Sequence, residues 1–117
     1  MIPIFEPDLS GKEQQYIDEA VTSGWISSQG EYVRLFEERF AQHFGMKYGV
    51  VTSNCTTALH LSLLALGIGP GDEVICPDLT FIAPANMIAL TGAKPILVDV
   101  EEDTWNLDPE LVKQAVT

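Results

Sequence analysis

Three short runs of β-branched and apolar residues, Tyr48–Thr52, Glu73–Pro77 and Pro95–Asp99, alternate with longer stretches of good helix formers. This alternation constrains the fold more than any other feature of the chain. Short apolar runs bounded by glycine and proline read as strands, and the segments between them read as helices. A helix between two strands lets them run parallel and covers the sheet face. The sequence therefore predicts an α/β domain with parallel pairing.

The helices carry their own boundary signals. Ser10 followed by Glu13 has the capping-box pattern, which predicts a helix to about Thr22, with Gly24 ending it. Trp25–Gly30 is then a loop. From Glu31 onward, Val33, Phe36, Phe40 and Phe44 recur at helical spacing opposite Arg34, Glu37, Glu38 and Arg39, an amphipathic pattern whose aromatic stripe is assigned to the core. The Leu59–Leu66 stretch is apolar on nearly every side, which implies burial on more than one face. Gly67–Asp72 breaks it. Thr80 is placed as the cap of the next helix, with Pro84 tolerated only in its first turn and Gly92 near its end. Asp108-Pro109 opens a last helix with an acidic cap and an N1 proline.

Chemistry concentrates at Ser53-Asn54-Cys55-Thr56-Thr57, between a strand-like run and a helix. The first N–H groups of a helix lack partners within it, and the helix dipole adds partial positive charge. Two readings follow. Ser53 or Asn54 caps a buried helix, or the turn receives a phosphate with Thr56 and Thr57 adding hydroxyl donors. Cys55 and Cys76 form no C-x-x-C pair and lie at no zinc-like spacing to His43 or His60, so the cysteines are read as small hydrophobes and no metal site is expected. A net charge of −11 argues against nucleic acid as a partner. No run is long enough for a membrane span and no signal-peptide pattern is present, which places the chain in the cytoplasm as an expectation.

Taken in order, Gly24-Trp25-Ile26-Ser27-Ser28, Ser53 to Leu61, Gly67 to Ile75, Leu79-Thr80-Phe81-Ile82-Ala83 and Val98-Asp99-Val100 resemble the amino-terminal part of the DegT/DnrJ/EryC1/StrS family, with perosamine-synthase-like members nearest. The resemblance implies an incomplete large domain of a fold-type I aminotransferase that depends on pyridoxal 5′-phosphate (PLP), three-layered with a mainly parallel sheet. Residues 1–30 would form an N-terminal helix and substrate-side loop, and 31–117 the first part of the PLP-binding domain. It implies a homodimer that moves an amino group from glutamate to a nucleotide-linked keto sugar. Thr56 and Thr57 match the family's phosphate-binding turn, and Phe81 matches the aromatic that stacks on the pyridine ring. Trp25 and Ser27 match the loop near the sugar.

Cys55 departs from the glycine often found before the threonine pair. The family's Schiff-base lysine lies downstream of these positions, and Lys12, Lys47, Lys94 and Lys113 do not match it. The chain alone is therefore expected to be a fragment without activity, with its Tyr48–Thr52 strand lacking neighbours. Two alternatives remain at this level: a sugar dehydratase of the same family, in which histidine replaces the lysine, and a non-catalytic interaction fragment that docks through Leu59–Leu66.

Overall fold

The computed structural model describes residues 2–3 and 5–117. The chain divides into two compact units, Met1–Val51 and Thr52–Thr117.

The first unit holds α1 (Glu13–Ser23) and α2 (Glu31–His43). The expected capping box does not form. Lys12 occupies the N-cap without a side-chain bond, because Ser10 is drawn into an upstream turn in which its N–H donates to Asp8 Oδ1 at 3.0 Å. Gly24 ends α1 as expected, in the left-handed conformation that its missing Cβ permits (φ 75°).

Tyr16 of α1 and Tyr32 of α2 meet edge to face with ring centroids 5.4 Å apart, and the Tyr32 hydroxyl donates to the Glu19 carboxylate. The aromatic stripe of α2 stacks along its own helix, with Phe36–Phe40 centroids at 5.4 Å and Phe40–Phe44 at 4.7 Å. Its rings stay about half exposed, contrary to the core assignment. Periodicity fixes which residues share a face, but a core also requires a second apolar surface to cover that face.

Tyr48–Thr52 is not a strand, which corrects the sequence expectation. A ladder needs a neighbouring strand, and among the described residues none lies beside this run. The segment is held by α2 instead: the Val51 N–H donates to Glu37 Oε1 at 2.9 Å. Gly49 sits so close that a Cβ there would lie 2.5 Å from the Glu37 carbonyl oxygen.

The second unit runs α3 (Cys55–Ala65), β1 (Glu73–Pro77), α4 (Ala83–Leu90), β2 (Lys94–Val98) and α5 (Pro109–Ala115). β1 and β2 pair in parallel, with Cys76 opposite Leu97. The flanking bonds Lys94 N–H to Asp72 O and Asp78 N–H to Val98 O show which groups face inward. Lys94, Ile96 and Val98 turn their backbone toward β1, while Pro95 and Leu97 face outward. On β1, Glu73, Ile75 and Pro77 face outward. Both prolines therefore lie where their missing N–H is not needed by the pair.

Cys76, Ile88 and Ala93 form the buried cluster, with Leu63, Ile68, Val74 and Ala85 packed against it. Burial raises the Cys76 thiol pKa, consistent with an inert packing role. Of the leucines on α3, Leu63 reaches this cluster, whereas Leu61 and Leu64 are exposed, as is Leu66 at the C-cap. Burial on more than one face is thus not met in this chain, because α4 is the only helix packed extensively against α3 among the described residues. Asp108 caps α5 as expected, accepting from the Glu110 N–H at 2.8 Å.

Candidate functional site

The turns that follow α3 and α4 meet. A Cβ on Gly92, just past α4, would lie 2.9 Å from Pro70 Cγ, just past α3. The two helices pack side by side with their C-terminal ends together, at the end where β1 and β2 begin. Their N-termini accordingly share the other end with the C-terminal ends of the strands. That edge is where parallel α/β sheets receive ligands. It carries Thr56 and Thr57 at the start of α3 and Phe81 just ahead of α4.

At the α3 turn, Asn54 is the cap. Its Oδ1 accepts the Thr57 N–H at 3.0 Å, and its carbonyl oxygen accepts the Ala58 N–H at 3.2 Å and the Thr57 hydroxyl at 2.9 Å. The Thr57 proton is thus already engaged. Among the described residues no protein acceptor meets the N–H groups of Cys55 and Thr56 or the Thr56 hydroxyl. These three donors remain open at the positive end of the helix dipole, a set suited to an anion.

The two sequence readings of this turn are compatible. Capping uses Asn54 and Thr57, and the donors left open belong to Cys55 and Thr56. The side chain of Cys55 carries no backbone strain, since Trp105 is the one non-glycine residue with positive φ among the described residues.

Phe81 is 86 % exposed, an open aromatic face lining a shallow concavity with Leu79 and Thr80. Thr80 does not cap α4, because Ile82 takes the N-cap position without a side-chain bond; Pro84 falls in the first turn as expected. Trp25 and Ser27 belong to the first unit. Trp25 lines a cleft between α1 and α2, whereas the Ser27 hydroxyl serves its own loop by accepting the Gln29 N–H at 3.3 Å. The same cleft contains Glu31 and Arg39, which sequence spacing alone did not single out. Among the described residues no group of histidine, cysteine or carboxylate side chains could hold a metal ion, and no helix is long and apolar enough to cross a membrane.

Parallel strands, helices gathered N-terminus first at their C-terminal edge, and a turn with open donors define an α/β chain with its chemistry at that edge. Residues 7–117 match the model of the DegT/DnrJ/EryC1/StrS aminotransferase family, and the chain belongs to that family. It is 49 % identical over 116 residues to a GDP-perosamine synthase of Escherichia coli O157:H7, covering 99 % of this chain and 32 % of that relative. It is 46 % identical to the spore coat polysaccharide biosynthesis protein SpsC of Bacillus subtilis, covering 99 % of this chain and 30 % of the relative.

A Streptococcus pneumoniae protein assigned as a sugar aminotransferase and solved in its PLP form superposes with a TM-score of 0.86 at 36 % identity, over 99 % of this chain and 29 % of that one. The fold is that of part of a fold-type I aminotransferase large domain, as the resemblance implied. The chain spans about a third of the length of the relatives it matches.

Proposed function

We propose that this chain forms the phosphate-side wall of a PLP-dependent aminotransferase acting on a nucleotide-linked keto sugar, with glutamate as the amino donor and a homodimer as the working assembly. The observation that carries the reading is the open donor set of Cys55 N–H, Thr56 N–H and the Thr56 hydroxyl at the α3 N-terminus. A dianionic phosphate matches those donors in charge and geometry. Asn54 and Thr57 hold the turn in shape. Phe81 offers its exposed face to the planar ring, and Trp25 and Ser27 belong to the substrate side. The cofactor would supply an electron-withdrawing pyridine ring.

The lysine side chains of the second unit are committed elsewhere: Lys94 pairs with Glu73 at the opposite end of the strands, and Lys113 pairs with Glu110 on α5. In this reading the 117 residues bind the cofactor phosphate without attaching the cofactor covalently or turning over.

Titrating the purified chain with PLP and with pyridoxal, which lacks the phosphate, tests the proposal. The expected result is saturable PLP binding that inorganic phosphate displaces, much weaker binding of pyridoxal, and no amino transfer from glutamate to a nucleotide-linked keto sugar. Equal binding of both compounds would remove the phosphate site, and turnover would remove the claim of inactivity.

A further inference from the structure

Two exposed features of the first unit complement each other in shape and charge. One is a groove of about 750 Å³ along α2, walled by the rings of Tyr16, Tyr32, Phe36, Phe40 and Phe44. The three phenylalanines stay about half exposed, so no described residue closes over them. Arg39 and His43 also line the groove, and no carboxylate does. Among the described residues Arg39 makes no ion pair.

The other feature is the arm that precedes α1. Its described residues form neither helix nor strand, and Ile2, Phe5 and Leu9 are exposed, Phe5 at 82 %. Pro3 and Pro7 fix their own φ and bias the residues before them to extended backbone. The arm carries Glu6 and Asp8, with no lysine or arginine before Lys12.

We infer that the groove receives the arm of a second copy of this chain, each arm lying on the α2 of the other. Aromatic-lined grooves take proline-containing extended segments at low entropic cost, because the segment is already straight. From Pro3 to Leu9 such an arm spans about 19 Å, and Tyr32 to Phe44 along α2 spans about 18 Å. Three residues per turn put Ile2 and Phe5 on one side of the arm, for the rings, and leave Glu6 for Arg39. Charge favours this contact over others: the chain carries −11 and repels its copies wherever no basic side chain meets the acidic arm. An exchange of identical arms is isologous and closes at two copies. It adds a contact surface to the homodimer proposed above and does not depend on the cofactor site, which lies in the second unit.

Sedimentation equilibrium of the 117-residue chain should show monomers in equilibrium with dimers. Removing residues 1–10 should abolish the dimer, and a fluorescent peptide of residues 1–11 should bind the shortened chain saturably. Arg39→Glu should weaken the dimer by about tenfold or more, as a lost charge-assisted pair predicts, and adding Glu6→Arg should recover most of that loss. An unchanged circular dichroism spectrum in each variant establishes that the helices are intact.

A dimer that survives loss of the arm overturns the inference and assigns self-association to another surface. Failure of Glu6→Arg to restore the Arg39→Glu dimer overturns the seating of the arm on α2. A full chain that stays monomeric also overturns it: the arm then serves its own groove if the shortened chain binds the peptide, and the groove belongs to a different partner if it does not.

Discussion

Substitutions at Asn54, Thr56 and Thr57 separate capping from anion binding. Asn54 Oδ1 meets the Thr57 N–H at 3.0 Å, so Asn54→Ala removes an N-cap and should destabilise α3 by about 1 kcal/mol. The same change releases the Thr57 N–H toward solvent. Phosphate affinity should therefore hold or rise slightly.

Thr56→Val acts on the other side of the division. The Thr56 hydroxyl has no protein partner among the described residues, so its loss should leave stability within about 0.5 kcal/mol. It removes a donor to a charged group, worth about 1.5–3 kcal/mol, or roughly tenfold or more in PLP affinity. Thr57→Val falls between them, because its hydroxyl already donates to the Asn54 carbonyl at 2.9 Å. Urea unfolding followed by circular dichroism reads the stability, and PLP titration by fluorescence reads the affinity. The reasoning fails if Asn54→Ala abolishes PLP binding while Thr56→Val leaves it unchanged.

Gly49→Ala should cost about 1–3 kcal/mol, since its Cβ would lie 2.5 Å from a backbone oxygen that cannot swing aside; an unchanged urea midpoint refutes the close approach. Ile88→Ala should cost about 2–5 kcal/mol by opening a cavity beside Cys76 and Ala93, and a loss below about 1 kcal/mol in the same assay would mean this cluster is not the core of the second unit. The Tyr32 hydroxyl holds the Glu19 carboxyl below its ordinary value, and the same bond pushes Tyr32 up to about 12. The clasp between α1 and α2 therefore contributes in full between the ordinary values of the two groups, 4.5 and 10. It is lost as pH falls through the depressed Glu19 value, and again as pH rises from the ordinary tyrosine value of 10 towards 12. The melting-temperature gap between the native chain and Tyr32→Phe should shrink at both ends, and a gap constant with pH would contradict the assignment.

Local chemistry was legible in the sequence where a residue acts on its immediate neighbours. The β1 run was read residue for residue, Gly24 and Asp108 bound their helices as expected, and Asn54 was one of two candidate caps. Thr56 and Thr57 are legible from their position at a helix start and Phe81 only through the family resemblance, and the parallel topology explains why they lie at one edge. Readings failed where they needed a partner distant in sequence. Tyr48–Thr52 has strand-like composition, yet a strand exists only beside another, and α2 takes its place. The α2 phenylalanines and the outer α3 leucines have core periodicity without a surface to close over them. The cleft that Glu31 and Arg39 of α2 line also takes in Tyr16 and Glu19 of α1, a pairing of two helices that spacing within α2 does not encode.

The outward-facing prolines give the two-stranded sheet a direction of growth. The outer edge of β2 offers a single N–H, that of Leu97, because Pro95 has none; the outer edge of β1 offers those of Glu73 and Ile75 before Pro77 ends it. A strand added beside β2 thus meets one donor fewer than a strand added beside β1, although both edges keep their outward carbonyls, so the sheet is biased to extend past β1.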